Sequence, residues 1–200
     1  MFVVAIGASA GGLQALNEFF KRKQSTNGET YVVILHSLRT YQSKLVDILS
    51  RITSIECVMI EEDTKISPGK IFVSPPSHAI EIVDGYFHLI ERPEAEKINQ
   101  TVNHFFRSLA GYARSEAIGV IMSGTGRDGT EGSRTIEDNG GVVIVQDPKT
   151  AQFDGMPLTS IRYDHPDYIA APHEMPDLID SIVSGNEPRD NRKKRELEYE

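Results

Sequence analysis

The sequence holds one cysteine, Cys57, and no tryptophan. A single thiol forms no intrachain disulfide, so the fold has no cystine framework and suits a reducing compartment. Cys57 stands in the strand-like run Ile55-Glu56-Cys57-Val58-Met59-Ile60. There it reads as a small buried hydrophobe rather than a reactive thiol. No run of about 18 apolar residues is present, so no membrane-spanning helix and no membrane insertion are expected. No basic segment precedes the short apolar stretch at the N-terminus, so the expectation is a cytoplasmic domain without a leader. Positive charge is scarce as well: 21 Lys and Arg stand against 29 Asp and Glu, for a formal charge of -8. A nucleic-acid partner would need a basic surface. The one basic run, Arg192-Lys193-Lys194-Arg195, is flanked by Asp190, Glu196, Glu198 and Glu200 and reads as a solvated tail. Metal-ligand spacing is missing too. His78, His88, His104, His165 and His173 are scattered, and none shares a helical face with another His or Cys, so neither metal nor cofactor is expected.

What is present fits one domain: 200 residues, 39% of them hydrophobic, with no internal repeat. Phe2 to Ile6 is a continuous apolar run stopped by Gly7, as strands buried on both faces of a parallel sheet require. Leu13, Leu16, Phe19 and Phe20 follow at helical spacing, predicting a helix over 11–22. Tyr31–Leu35 is a second buried strand and 41–51 a second helix. This β-α-β-α order indicates a sheet with right-handed crossovers. Further strands are expected at 56–60, 71–73, 118–122 and 142–145, and helices at 99–113, 129–138 and 174–184. Residues 79–83 and 86–90 flank Asp84-Gly85, a dipeptide of tight hairpin turns. The expected fold is therefore α/β: a doubly wound, mostly parallel sheet in three layers (Rossmann-like) with an inserted antiparallel hairpin. It occupies 1–185, and 186–200 is a charged tail or linker.

Three polar residues coincide in this topology. Ser9 follows the first strand, His36 ends the second, and Asp128 lies in the loop after the strand at 118–122. Residues just beyond strand C-termini collect along one edge of an open parallel sheet, where ligands bind. A serine hydroxyl needs a base to take its proton, imidazole titrates nearest neutrality, and a carboxylate fixes the imidazole tautomer. Ser9 sits in Gly7-Ala8-Ser9-Ala10-Gly11-Gly12, whose small residues permit a sharp strand-to-helix turn. The following helix directs unpaired N–H groups to the same spot, so Ala10 and Gly11, with Thr125, are candidate oxyanion donors. Met156 and Pro157 are candidates for the substrate groove, Arg127 for a contact to an acidic substrate, His78 for the border of the site, and Asp154 for a rival orienting acid.

Each residue alone has a plainer explanation: Ser9 and Asp128 as helix caps, His36 as a satisfied strand-end histidine. The glycine loop also suggests a dinucleotide fingerprint. That pattern needs Gly-x-Gly-x-x-Gly and an acid ending the second strand, whereas Ser9 and His36 stand here.

Taken together, Gly7-Ala8-Ser9-Ala10-Gly11-Gly12, His36, Ser123-Gly124-Thr125-Gly126-Arg127-Asp128-Gly129, Gln146-Asp147-Pro148 and Asp154-Gly155-Met156-Pro157 resemble the catalytic domain of the bacterial chemotaxis protein-glutamate methylesterases (CheB-type). The resemblance covers roughly residues 2–184. It implies a cytoplasmic serine hydrolase that acts on glutamate γ-methyl esters of chemoreceptor helices and releases methanol, with glutamine deamidation in some members. By motif position it makes Ser9 the nucleophile, His36 the base and Asp128 the orienting acid.

The better-known members carry an N-terminal receiver domain, whereas here the catalytic fold starts at Met1. The chain looks more like the methylesterase domains that begin fusion proteins with methyltransferase and sensor modules. Further signalling domains of the same chain are thus expected partners, beside methylated chemoreceptor-like helices. Thr125 replaces the family's usual methionine, and Ser37 follows His36 where a larger apolar residue is usual. A different class of function also fits the fold: a non-catalytic sensing or docking module that uses the same sheet edge.

Overall fold

A computed structural model describes residues 1–36, 44–93 and 99–186. Seven strands form a parallel sheet: β1 (Val3–Ala8), β2 (Thr30–Leu35), β3 (Glu56–Met59), β5 (Lys70–Val73), β8 (Ala117–Ile121), β9 (Val142–Gln146) and β10 (Tyr168–Ala170). Their order is β10-β9-β8-β1-β2-β5-β3, and every described pairing among them is parallel. The chain leaves β1 toward β2 on one side and returns to β8 on the other. The reversal of strand order therefore falls between β1 and β8, where the two strand ends diverge and leave a crevice.

Alternation along the central strands sorts the core into two layers. Val4, Ile6 and Ala8 face α1 (Gly12–Arg22), α2 (Leu45–Leu49) and α6 (Met175–Val183). Val3 and Ala5 face α3 (Thr101–Ala113), α4 (Thr130–Asp138) and α5 (Gly155–Asp164). Phe105, Phe106 and Leu109 of α3 are fully buried. Gly7 continues the second set, and a Cβ there would collide with both methyls of Val102. Its lack of a side chain lets the first turn of α3 press against the end of β1.

The expected hairpin is β6 (His78–Val83) with β7 (Tyr86–Glu91). It turns through Asp84 and Gly85, both at positive φ (50° and 83°), as a two-residue turn matched to strand twist demands. A short third strand, β4 (Thr64–Lys65), extends it into a separate antiparallel sheet ordered β4-β7-β6. The second helix is shorter than expected, and residues 41–43 of that expectation lie outside the described residues, as do Ser37 and the basic run at 192–195.

Behind the sheet, at the N-terminal ends of its strands, a buried ionic cluster ties three elements together. Lys23, which ends α1, pairs with Glu29 just before β2 at 2.9 Å and with Asp180 of α6. The Tyr31 hydroxyl donates to Glu29 at 2.9 Å, and the Asn27 N–H donates to its other oxygen at 2.7 Å. Burial pushes the Glu29 carboxyl up, but the Lys23 ammonium and the backbone donors outweigh it and hold it below the ordinary glutamate range.

Candidate active site

Sheet register brings the first two residues together. Ala8 pairs with Leu35, and the His36 N–H donates to the Ala8 carbonyl at 2.9 Å, so Ser9 and His36 are the next positions on adjacent strand ends. On the other flank the Ser9 N–H donates to the Ser123 carbonyl at 2.9 Å, placing Ser9 over the crevice between β1 and β8. The loop after β8 then brings Asp128 to the same edge. Ser9, His36 and Asp128 line one cleft of about 400 Å³, together with Asn99, Gln100 and Asn103 from the start of α3 and with the 125–127 turn.

Asp128 is held with care. Its side chain is 5% exposed, and that of His36 is 12% exposed. One carboxylate oxygen accepts from His36 Nε2 at 2.8 Å and from the Val102 N–H at 2.9 Å. The other accepts from the Asn103 N–H at 2.9 Å and from the Gly129 N–H at 3.0 Å. Two of these donors are in the first turn of α3, where unpaired N–H groups and the helix dipole favour an anion. An ionised carboxylate only accepts, so Nε2 carries the proton of the neutral ring and Nδ1 is left as the basic nitrogen. Serine proteases use the reverse arrangement, with Nδ1 facing the carboxylate. Nδ1 is the nitrogen nearer the His36 backbone, and Ser9 lines the same cleft as the ring.

Ser9 and His36 share the cleft, but no hydrogen bond joins the Ser9 hydroxyl to the ring among the described residues. Such contacts commonly tighten only in the substrate complex, because the hydroxyl turns about a single torsion. The N–H groups of Ala10 and Gly11, both half-buried, donate to no group among the described residues and remain free to bind an oxyanion. Gly11 adopts φ +74° and opens α1, giving the sharp turn that the small residues predicted. Thr125, Gly126 and Arg127 are exposed on the opposite lip.

Four expected contributors take other places. Met156 is fully buried in the core and packs against Gly124, where a Cβ would collide with its sulfur and lie 2.8 Å from Ser9 Cβ. It therefore shapes the floor behind Ser9 instead of lining the groove, and Pro157 beside it is buried too. Asp154 is an exposed residue preceding α5 and does not line the cleft. His78 bonds its neighbour Ser77 at 2.8 Å at the start of β6, away from the cleft lining.

The remaining motifs serve as scaffolding for this edge. The Gln146 side chain, 1% exposed, accepts from the Ser123 N–H at 2.8 Å. The Ser123 hydroxyl lies 2.8 Å from the Ala10 carbonyl and accepts from the Phe153 N–H at 3.0 Å. Asn103 was not anticipated. Its backbone holds Asp128, while its side-chain oxygen accepts from Gly129 and Gly132 N–H at 3.1 and 2.8 Å, capping α4. The start of α3 thus fixes the carboxylate, and a residue of α3 fixes the start of α4. A polar residue in the first turn of an otherwise apolar-striped helix was the available signal.

Residues 4–179 match the family described as CheB methylesterase. The chain belongs to the CheB methylesterase family. A protein-glutamate methylesterase/protein-glutamine glutaminase 1 of Carboxydothermus hydrogenoformans is 31% identical over 166 residues, spanning 80% of this chain and 48% of that protein. A putative protein-glutamate methylesterase/protein-glutamine glutaminase of Leptospira interrogans is 27% identical and spans 92% of this chain and 95% of its own. Against the first, and against a Pseudomonas savastanoi relative also covered to 48%, the chain spans about half the relative's length. The crystal structure of the Thermotoga maritima CheB methylesterase catalytic domain superposes with a TM-score of 0.82 at 23% identity, covering 91% of this chain and 98% of that one. It shares the α/β fold found here. No helix among the described residues is long and apolar enough to cross a membrane.

Proposed function

We propose that this chain is a cytoplasmic serine hydrolase that removes the methyl group from glutamate γ-methyl esters of chemoreceptor-like helices. The observation that carries the reading is the single cleft lined by Ser9, His36 and Asp128, with the His36 ring bonded to a backbone-held carboxylate. His36 Nδ1 takes the Ser9 proton as the hydroxyl oxygen attacks the ester carbonyl. The oxyanion rests on the N–H groups of Ala10 and Gly11, with the 125–126 turn facing it. Asp128 stabilises the imidazolium that forms. The imidazolium returns its proton to the departing methoxide, releasing methanol and leaving an acyl-serine. Water then repeats the path in reverse and frees the glutamate carboxylate. A glutamine side chain follows the same route with ammonia as the leaving group, as the names of the relatives suggest.

The test is methanol release from a helical peptide bearing a glutamate γ-methyl ester. The parent protein should turn over, and Ser9→Ala, which removes one buried-edge oxygen, should not, while keeping its melting temperature. Equal turnover by both proteins would refute the assignment. Labelling of Ser9 by a fluorophosphonate separates an esterase from a non-catalytic docking module, because only an activated serine reacts.

A further inference from the structure

A second hollow, of about 550 Å³, opens beside the Ser9 cleft. Gly126, Arg127 and Glu131 line both, so the two meet across the turn that follows β8. Its chemistry reverses the charge of the molecule around it. The chain carries a formal charge of -8, yet this hollow gathers two guanidinium groups, Arg127 and Arg134, beside Thr159 and the Tyr163 ring, which is 65% exposed. The one lining acid, Glu131, is drawn aside by Arg107 of α3. The Arg127 residue is exposed, and its side chain has no ion pair or hydrogen bond among the described residues.

Arg134 is placed from behind. Its guanidinium donates to the Tyr163 carbonyl at the end of α5 and lies 3.6 Å from Asp164, whose side chain is fully buried. Neither Asp164 oxygen has a hydrogen-bond partner, so that carboxylate acts on Arg134 through charge alone. Even so, 61% of the Arg134 side chain faces solvent. One guanidinium is thus oriented and one left free, both lining a hollow that shares Gly126, Arg127 and Glu131 with the cleft. Such a pair suits a carboxylate, which guanidinium groups bind through paired N–H donors.

We propose that this hollow is a specificity subsite that receives an acidic side chain of the substrate helix on Arg127 and Arg134. That residue would stand one or two turns, roughly 5–11 Å, from the esterified glutamate. The proposal rests on the reading of the Ser9 cleft as the esterase site and adds to it the sequence context the site prefers.

The experiment uses three helical peptides with one γ-methyl glutamate each, carrying glutamate, glutamine or lysine at the positions four and seven residues away on both sides. The parent should favour the glutamate-flanked peptide by about tenfold in kcat/KM, mainly through KM, with the preference shrinking as salt rises. Arg127→Glu should turn the preference toward a lysine-flanked peptide, a reversal that loss of structure does not produce. Binding of the same peptides to Ser9→Ala, followed by fluorescence anisotropy, reads the subsite without turnover. Equal kcat/KM for the glutamate- and glutamine-flanked peptides in the parent, or a glutamate preference that survives Arg127→Glu combined with Arg134→Gln, would overturn the subsite. Absence of turnover on every peptide, with the binding preference intact, would overturn the esterase reading and leave the subsite standing.

Discussion

Both ends of the parallel sheet bury a carboxylate, and the two are stabilised by different means. At the N-terminal end Glu29 meets the Lys23 ammonium at 2.9 Å, the Tyr31 hydroxyl and a backbone N–H. At the C-terminal end Asp128 is held by three backbone N–H groups and His36, and no Lys or Arg pairs with it among the described residues. A formal cation, Lys23, sits between Glu29 and Asp180 in the first cluster, and nothing there needs to change. Backbone dipoles hold the second carboxylate without such a cation. A lysine beside Asp128 would oppose the imidazolium of the proposed reaction, by about 4 kcal/mol for like charges 4 Å apart at an effective dielectric of 20. The first arrangement suits stability, and the second suits the proton transfer proposed for His36.

That contrast can be broken most forcefully by Asp128→Asn. The amide keeps an oxygen for the backbone donors but no longer fixes the imidazole tautomer, so kcat should fall on the order of 10⁴-fold while the protein stays folded. Steady-state methanol release and circular dichroism read the two effects. Glu29→Ala should give the opposite pattern. It leaves the buried Lys23 with Asp180 alone and the Tyr31 hydroxyl without its acceptor, and unfolding in urea should show a loss of roughly 1–3 kcal/mol with kcat of the folded fraction intact. Asn103→Ala touches both ends of the argument, because it uncaps α4 beneath Asp128. Chemical denaturation should register about 1–2 kcal/mol, accompanied by a reduced kcat. Tyr31→Phe removes one hydrogen bond to Glu29 and should cost about 1 kcal/mol with no kinetic effect.

The smallest effect is in the pH dependence of stability, where two buried acids work in opposite directions. The Glu29 carboxyl is held below its ordinary value near 4.5, so its contribution is complete above that pH and is lost as pH falls through the lower folded value. Burial pushes the Asp164 carboxyl up to about 6 against the pull of Arg134. The folded state then binds more protons than the unfolded one between the ordinary value near 3.8 and about 6, and stability declines as pH rises through that window. Melting temperature against pH should show that decline in the parent and a flatter profile in Asp164→Asn.

The sheet was legible because its strands are continuous apolar runs ended by glycine or polar residues, and because β-α-β order admits few topologies. The elements that escaped lack such a pattern. Helix α5 opens with Gly155-Met156-Pro157 and buries residues on more than one side, including Ser160 and Asp164, so no clean stripe marks it. Strands β4 and β10 are two and three residues long, too short for alternation to show. The three residues of the cleft could be read from topology, since strand ends converge whatever their separation in the chain. The role of Met156 could not, because a methionine in a glycine-rich motif fits a groove wall and a core floor equally, and only packing against Gly124 decides. Lys23 and Glu29 gave no signal because isolated charges beside strands are usually solvated.

The claim that matters most is that a carboxylate held by backbone N–H groups leaves His36 able to activate Ser9. Fluorophosphonate labelling mapped by mass spectrometry measures this without knowledge of the substrate. A single adduct on Ser9 in the parent, forming at least a thousandfold more slowly in Asp128→Asn, is the predicted result. An adduct on another residue, or equal labelling rates in the two proteins, would contradict it.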